Sequence, residues 1–269
     1  MKNINKLLLV FLATLLFACS SDDNTVKEGE LTGFGTVTID FDNGVDGNAL
    51  ILDTENFPNS MKEKVNISRL NYIVSNFVLI DEAGKEFVYP KNESYFVVNE
   101  RTKQTEVVLN NVPAGKYVSM RFGLGVDQEK YLEGAEGQGK FLEEAEENDM
   151  MWSWLSGYKF INFEGTFTSP EVESSKKFQI HMGSHGSKLD NYREISIKFG
   201  SSEALVGDKM NPLIHFEVDA SKILDGVNKI PLSKKSIIMV DANLAPQIAD
   251  NATSMFKVDH IHNGADGHH

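Results

Sequence analysis

Short runs of alternating apolar and polar residues recur along this chain, and they limit its fold more than any other sequence feature. Successive side chains of a strand point to opposite faces, so each run predicts a strand with one buried face. The ten runs cover residues 36–41, 71–80, 95–98, 106–109, 117–122, 163–167, 178–182, 194–199, 213–218 and 236–240. Turn residues separate them, as at Asp42-Asn43-Gly44. We therefore predict an all-β fold: a β-sandwich with long loops and one or two short helices.

Two stretches depart from this alternation. Residues 129–149 hold eight acidic residues and two lysines, which predicts a solvated loop with a helical piece at 141–147. Metal binding by these carboxylates is the less favoured alternative. Leu244–Met255 carries Pro246 near its start and apolar residues at a helical spacing, which predicts a short helix leading into the C-terminal segment.

The N-terminus has the layout of a secretory signal. Lys2 and Lys6 precede an apolar run from Leu7 to Phe17, which is shorter than the ~20 residues that a transmembrane helix needs. The only cysteine, Cys19, follows Leu16-Phe17-Ala18, and this pattern resembles a lipobox. We predict that residues 1–18 are cleaved and that Cys19 becomes the lipid-bearing first residue of the mature protein.

The segment after Cys19 bears on localisation. Ser20-Ser21-Asp22-Asp23-Asn24 resembles the acidic export signal of Bacteroidota lipoproteins bound for the cell surface. A flexible tether with no signalling role would have the same composition. We expect a lipid-anchored outer-membrane protein at the cell surface, with the periplasmic face of that membrane as the alternative.

Charge and cysteine content exclude several classes of protein. Because the signal carries two lysines and no acid, its removal changes the net charge from −13 to −15 and leaves 251 of the 269 residues. Such an acidic surface disfavours nucleic-acid binding. Disulfides are excluded by the single cysteine, so the exported domain must be stabilised by its hydrophobic core.

Histidines are the most informative polar residues, because all seven lie after residue 180. If residues 256–262 are extended, His260 and His262 share one face and Ile261 lies on the other, which gives two ligands of a metal site. Neutral imidazole suits copper, zinc or nickel, and copper(II) has the highest intrinsic affinity of these ions. Two solvent-facing histidines near a tail are an equally weighted alternative.

The other histidines have weaker signals. His181 and His185 lie where the strand at 178–182 ends and the chain turns. His215 has Ile214 and Phe216 as neighbours, which is more typical of a hydrogen-bonded core histidine than of a ligand. Of the standard enzyme motifs, the nucleophile elbow, the zincin helix, the P-loop and the C-x-x-C pair are missing from the sequence, so we predict that the protein is not an enzyme.

Several motifs together resemble a known family. The first group comprises Trp152-Ser153-Trp154, Gly157-Tyr158-Lys159-Phe160, Phe163-Glu164-Gly165 and His181-Met182-Gly183-Ser184. The second group comprises Leu70–Leu79, Val112–Tyr117 and Arg121–Asp127. This combination is similar to that of the MbnP-like family of copper-binding proteins, over approximately residues 33–262. The predicted organisation is thus a signal peptide at 1–18, a lipidated tether at 19–32, an MbnP-like β-sandwich at 33–262 and a His-rich tail at 263–269.

The resemblance implies an exported β-sandwich that binds copper through histidines. In some members a partner dihaem peroxidase converts a tryptophan to kynurenine, and several members accompany copper-acquisition systems with TonB-dependent receptors. His181 matches the motif histidine, and Trp152 and Trp154 match the tryptophan motif as candidates for oxidation.

We therefore predict copper binding by His181, His260 and His262, with His185 and His215 as additional candidates. The C-terminal segment should pair beside, or pack against, the 178–182 strand, with the three ring nitrogens within about 5 Å of one another. The alternative function is that of a non-catalytic interaction or structural subunit of an outer-membrane β-barrel or TonB-dependent receptor complex.

Overall fold

The computed structural model describes residues 31–264 apart from 55–56, 153–156 and 186–187. The predicted signal, Cys19 and most of the predicted tether lie outside the described residues. Two sheets make up the domain. The first contains β1 (Phe34–Val45), β2 (Asn48–Ala49), β7 (Glu106–Pro113), β13 (Asn211–Asp219) and β15 (Phe256–Gly264). Its order is β15-β13-β1-β2, and β7 also pairs with β1.

The second sheet has ten strands. They are β3 (Phe57–Pro58), β4 (Lys64–Asp81), β5 (Glu86–Val88), β6 (Tyr95–Asn99), β8 (Gly115–Leu124), β9 (Ile161–Ser169), β10 (Val172–Met182), β11 (Arg193–Lys198), β12 (Ala204–Val206) and β14 (Ile237–Ile238). The main path is β11-β8-β4-β9-β10-β14, with β3, β5 and β6 pairing with β4 and β12 pairing with β8. The predicted all-β sandwich is confirmed, and each of the ten predicted runs lies wholly or partly in a strand.

The core lies between the two sheets. Phe41 of β1 and Phe216 of β13 are fully buried and stack with ring centroids 5.5 Å apart. Phe122 of β8, from the opposite sheet, lies 6.3 Å from Phe41 and 5.2 Å from Phe256 of β15. Burial of these aromatic rings on both inner faces stabilises the sandwich and sets which face of β1, β13 and β15 is left for solvent.

Within the described residues, five short α-helices connect the strands, where the sequence predicts one or two. They are α1 (Gln128–Leu132), α2 (Gly134–Gln138), α3 (Lys140–Glu147), α4 (Lys222–Asp225) and α5 (Leu244–Ala252). The helical piece predicted at 141–147 and the helix predicted after residue 244 are present. The prediction of a loop for the rest of the acidic stretch is wrong, because this part forms α1 and α2. The two helices surround the buried Lys130, whose ammonium donates to Asn92, Glu133 and the carbonyl of Gly137.

Two residues from the family-like motifs at Leu70–Leu79 and Arg121–Asp127 link β4 to the first helix. Asn76 adopts a φ of 52° and its amide donates to Asp127, which is 2.8 Å away. Burial opposes ionisation of Asp127, but hydrogen bonds from Tyr95, Asn76 and Lys91 hold its pKa well below the usual range. This carboxylate also caps α1 by accepting from the amide of Lys130, so it joins the start of the helix to β4. Within the described part of the chain, every helix is too short or too polar to cross a bilayer.

Candidate metal site

The site lies on the outer face of the five-stranded sheet. Because Ile39 and Phe41 point into the core, Asp40 points outward from β1; the same alternation turns His215 of β13 outward between Ile214 and Phe216. Strand register places Asp40 beside His215 and His215 beside His260 of β15. One row of polar side chains therefore crosses three neighbouring strands.

A β-bulge at Asp259 brings His260 and His262 to this face. Phe216 pairs with Val258 and His215 pairs with His260, so Asp259 is an extra residue in β15. Phe256 and Val258 pack on the core, and uninterrupted alternation would turn His260 and His262 inward as well. The extra residue reverses the alternation, so Ile261 contacts the core and the two imidazoles face outward.

The three imidazoles converge. Nε2 of His260 lies 3.0 Å from Nε2 of His262, and the rings of His215 and His260 stack with centroids 4.3 Å apart. One nitrogen from each of His215, His260 and His262 lies within 4.8 Å of the other two. Nitrogens at such separations can share one ion at about 2.0 Å after small rotamer changes.

Two carboxylates orient the rings. Nδ1 of His260 lies 2.7 Å from Asp259, and Nδ1 of His215 lies 3.3 Å from Asp40. A protonated Nδ1 that donates to a carboxylate leaves the lone pair of Nε2 free for a metal, which is the usual outer arrangement of histidine metal sites. Asp259 thus acts twice, through the bulge and through its side chain.

A cavity of about 310 Å³ adjoins the cluster, between the β1–β2 hairpin, β13 and β15. His215 and His260 form part of its wall, with Asp42, Glu217 and Asp219. Burial raises the pKa of Asp42, and the negative charges of Asp40 and Glu100 add to this rise. The cavity wall therefore concentrates negative charge, which favours cations.

The other candidate histidines lie on the ten-stranded sheet. His181 is buried at the end of β10, and its Nε2 lies 2.6 Å from Oε1 of Glu164. Trp152 lies beside both histidines, with ring centroids 5.9 Å from His181 and 5.3 Å from His185. Burial lowers the pKa of His185, whose Nε2 is buried and has no hydrogen-bond partner among the described residues. Trp154 lies outside the described residues.

The predicted grouping of His181 with His260 and His262 is wrong. β15 pairs with β13, whereas β10 pairs with β9 and β14 in the other sheet. His215 takes the place expected for His181. The preference for His215 as a core histidine is also wrong, and the signal that could have corrected it is the alternation at 213–218, which turns residue 215 away from the core.

Comparisons with known proteins extend these observations. The model of the family described as MbnP matches residues 34–240. Among solved structures, MbnP from Methylosinus trichosporium is similar with 14% sequence identity and a TM-score of 0.46, covering 85% of this chain and 98% of that one. No curated protein matches. The matched residues include His215, His181 and Trp152, while the strand that carries His260 and His262 lies beyond them. Because the family model matches well over half of the sequence, this chain belongs to the MbnP family.

Proposed function

We propose that this protein is a non-enzymatic lipoprotein that binds a copper ion through His215, His260 and His262 and handles copper at the cell envelope. The observation that carries the proposal is the convergence of three imidazole nitrogens within 4.8 Å on an outer sheet face. Imidazole suits copper, and copper(II) ranks highest among the divalent ions that such a site takes. Membership of the MbnP family supports copper over zinc or nickel.

The surroundings of the three histidines also favour a metal site over a chance cluster. One nitrogen from each of the three imidazoles lies within 4.8 Å of the other two, and such a spacing suits one shared ion. Asp40 and Asp259 orient two of the rings through Nδ1, which a cluster without a ligand does not require.

The lipobox-like sequence at Cys19 supports attachment to the outer membrane, and the acidic residues after it support export to the cell surface. Such a location suits a protein that takes copper from, or passes it to, a TonB-dependent receptor or another envelope partner. If Trp152 or Trp154 is oxidised, the partner that carries out the oxidation is a dihaem peroxidase.

Competition titration with Cu(I) and Cu(II) tests the proposal on the mature domain. We expect a dissociation constant below about 1 μM, and a loss of at least ~100-fold, equivalent to about 2.7 kcal/mol, in His260→Ala/His262→Ala. His215→Ala should weaken binding in the same direction. Circular dichroism verifies that each variant is folded.

His181→Ala is the matched control, because it removes one imidazole from the other sheet. Its affinity should equal that of the wild type. Loss of binding in His181→Ala with retention in the double variant would place the site beside Trp152 instead. If no variant and no form of the protein binds copper, the interaction-subunit hypothesis becomes the better one, and pull-down after gentle detergent extraction tests it.

A further inference from the structure

The three-histidine site provides fewer ligands than a four-coordinate ion needs. Among the described residues, the group of converging metal-binding side chains consists of His215, His260 and His262. Two neighbouring carboxylates are already engaged by the rings: Asp259 is hydrogen-bonded to Nδ1 of His260, and Asp40 lies 3.3 Å from Nδ1 of His215. Sites with three protein ligands complete their coordination with water or a bound molecule.

The cavity beside the cluster is the place from which such a molecule can reach the ion. Its volume of about 310 Å³ lies at the lower end of the range for small-molecule sites, and both His215 and His260 line it. The opposite wall is the β1–β2 hairpin, including Ala49. A molecule seated there contacts the protein on one side and the metal on the other.

The charge of the wall indicates which molecules fit. Asp219 accepts hydrogen bonds from the amides of Asp46 and Ser221 and pairs with Lys222. Glu217 lies 3.6 Å from Lys257, and the carboxylate of Asp42 forms no hydrogen bond or ion pair with any other described residue. Asp42 and Glu217 are register neighbours, so two carboxylates with spare acceptor capacity face a bound molecule. Such a wall attracts ammonium groups and repels anions.

We propose that the cavity binds a small amine-bearing chelator, one donor atom of which fills the open coordination position, so that the protein holds copper as a ternary complex. This inference rests on the proposed function of the three histidines. It identifies the ligand class that accompanies the ion: a compact molecule with amine donors and a positive charge.

Ethylenediamine and oxalate are the probes, because they have similar size and the same denticity but opposite charge. Each is titrated into copper-loaded protein while electron paramagnetic resonance reports the Cu(II) ligands and gel filtration reports whether copper stays bound. We expect ethylenediamine to change the spectrum saturably at one equivalent per site, with copper still bound to the protein. Oxalate should bind at least ~10-fold more weakly.

Two variants test the cavity itself. Ala49→Trp should fill it from an exposed position and weaken ethylenediamine binding at least ~10-fold. Val108→Trp is the matched control on the same sheet face, outside the cavity, and should have no effect. Asp42→Asn should reduce the preference for ethylenediamine over oxalate.

The outcomes separate this inference from the proposed function. Failure of copper to bind before any probe is added rejects both. Normal copper binding followed by removal of copper without a ternary intermediate, equal affinity for the two probes, or wild-type behaviour of Ala49→Trp would each overturn the cavity proposal alone.

Discussion

The two groups of histidines differ in how their ring nitrogens are used. At the end of β10, His181 is buried and its Nε2 already contacts Glu164, while Trp152 covers His181 and His185. On the five-stranded sheet, carboxylates contact Nδ1 of His215 and His260, and the Nε2 atoms of His260 and His262 face each other. His260 is about half exposed, whereas His181 is almost completely buried.

The comparison shows that the two groups leave different ring nitrogens for a metal. A carboxylate at Nδ1 orients the ring and leaves Nε2, whereas a carboxylate at Nε2 leaves only Nδ1. Sequence motifs alone do not reveal which nitrogen is engaged. The predictions that follow test the difference between the two groups.

The largest effect should come from deleting Asp259, which removes the bulge from β15. Restored alternation would turn His260 and His262 toward the core, so copper affinity should fall at least ~100-fold and the melting temperature should drop, because buried imidazoles lose hydration. Titration and thermal unfolding measure the two changes.

Asp259→Ala is the control, since it keeps the extra residue and loses only the carboxylate. Its affinity should fall by roughly 10-fold. If the deletion variant binds copper as tightly as the wild type does, the bulge does not orient the site.

Copper should stabilise the fold through the five-stranded sheet. At a free copper concentration of 100 times the dissociation constant, binding adds about 2.7 kcal/mol to the free energy of unfolding. For a domain of this size, such a change raises the melting temperature by roughly 5–10 °C. The rise should persist in His181→Ala and disappear in His260→Ala/His262→Ala. The reverse pattern would show that copper binds at His181 and not on the five-stranded sheet.

Asp40→Ala tests orientation of His215 without touching a ligand atom. Loss of the carboxylate at Nδ1 should weaken copper binding by about 10-fold, or roughly 1.4 kcal/mol, because the ring loses its preferred tautomer and direction. Asp40 also accepts a hydrogen bond from Thr105. Thr105→Val therefore serves as the control, and equal losses in both variants would show that the effect is structural.

The smallest effect concerns stability in acid at the other histidine group. The hydrogen bond with His181 lowers the pKa of Glu164 below its ordinary value of 4.5. A lowered carboxyl pKa contributes stability above pH 4.5, and this contribution is lost as the pH falls through the lower, folded-state pKa. Glu164→Gln should remove about 1 kcal/mol at neutral pH and flatten this part of the stability profile.

Denaturant unfolding between pH 3 and pH 7 measures the effect, and copper affinity at neutral pH should stay unchanged. A Glu164→Gln variant with the acid sensitivity of the wild type would show that the contact with His181 contributes nothing to folding.

The sequence by itself determined the local features of this protein. Alternation placed the strands at 36–41, 71–80 and 213–218, because the period of two is a property of the extended chain and of which side chains avoid water. The same period put His260 and His262 on one face with Ile261 opposite. Helix signals placed α3 and α5. They did not place α1 and α2, because the buried Lys130 at these helices is held in part by Asn92, which is distant in sequence.

Only the tertiary structure decided which strands meet and which face each histidine takes. Pairing of β15 with β13 joins segments that are separated by 36 residues, and the pattern within each strand is compatible with several neighbours. One extra residue, Asp259, reverses the direction of every side chain after it. The site therefore contains His215 and excludes His181, because strand register and a single bulge set positions that local periodicity leaves open.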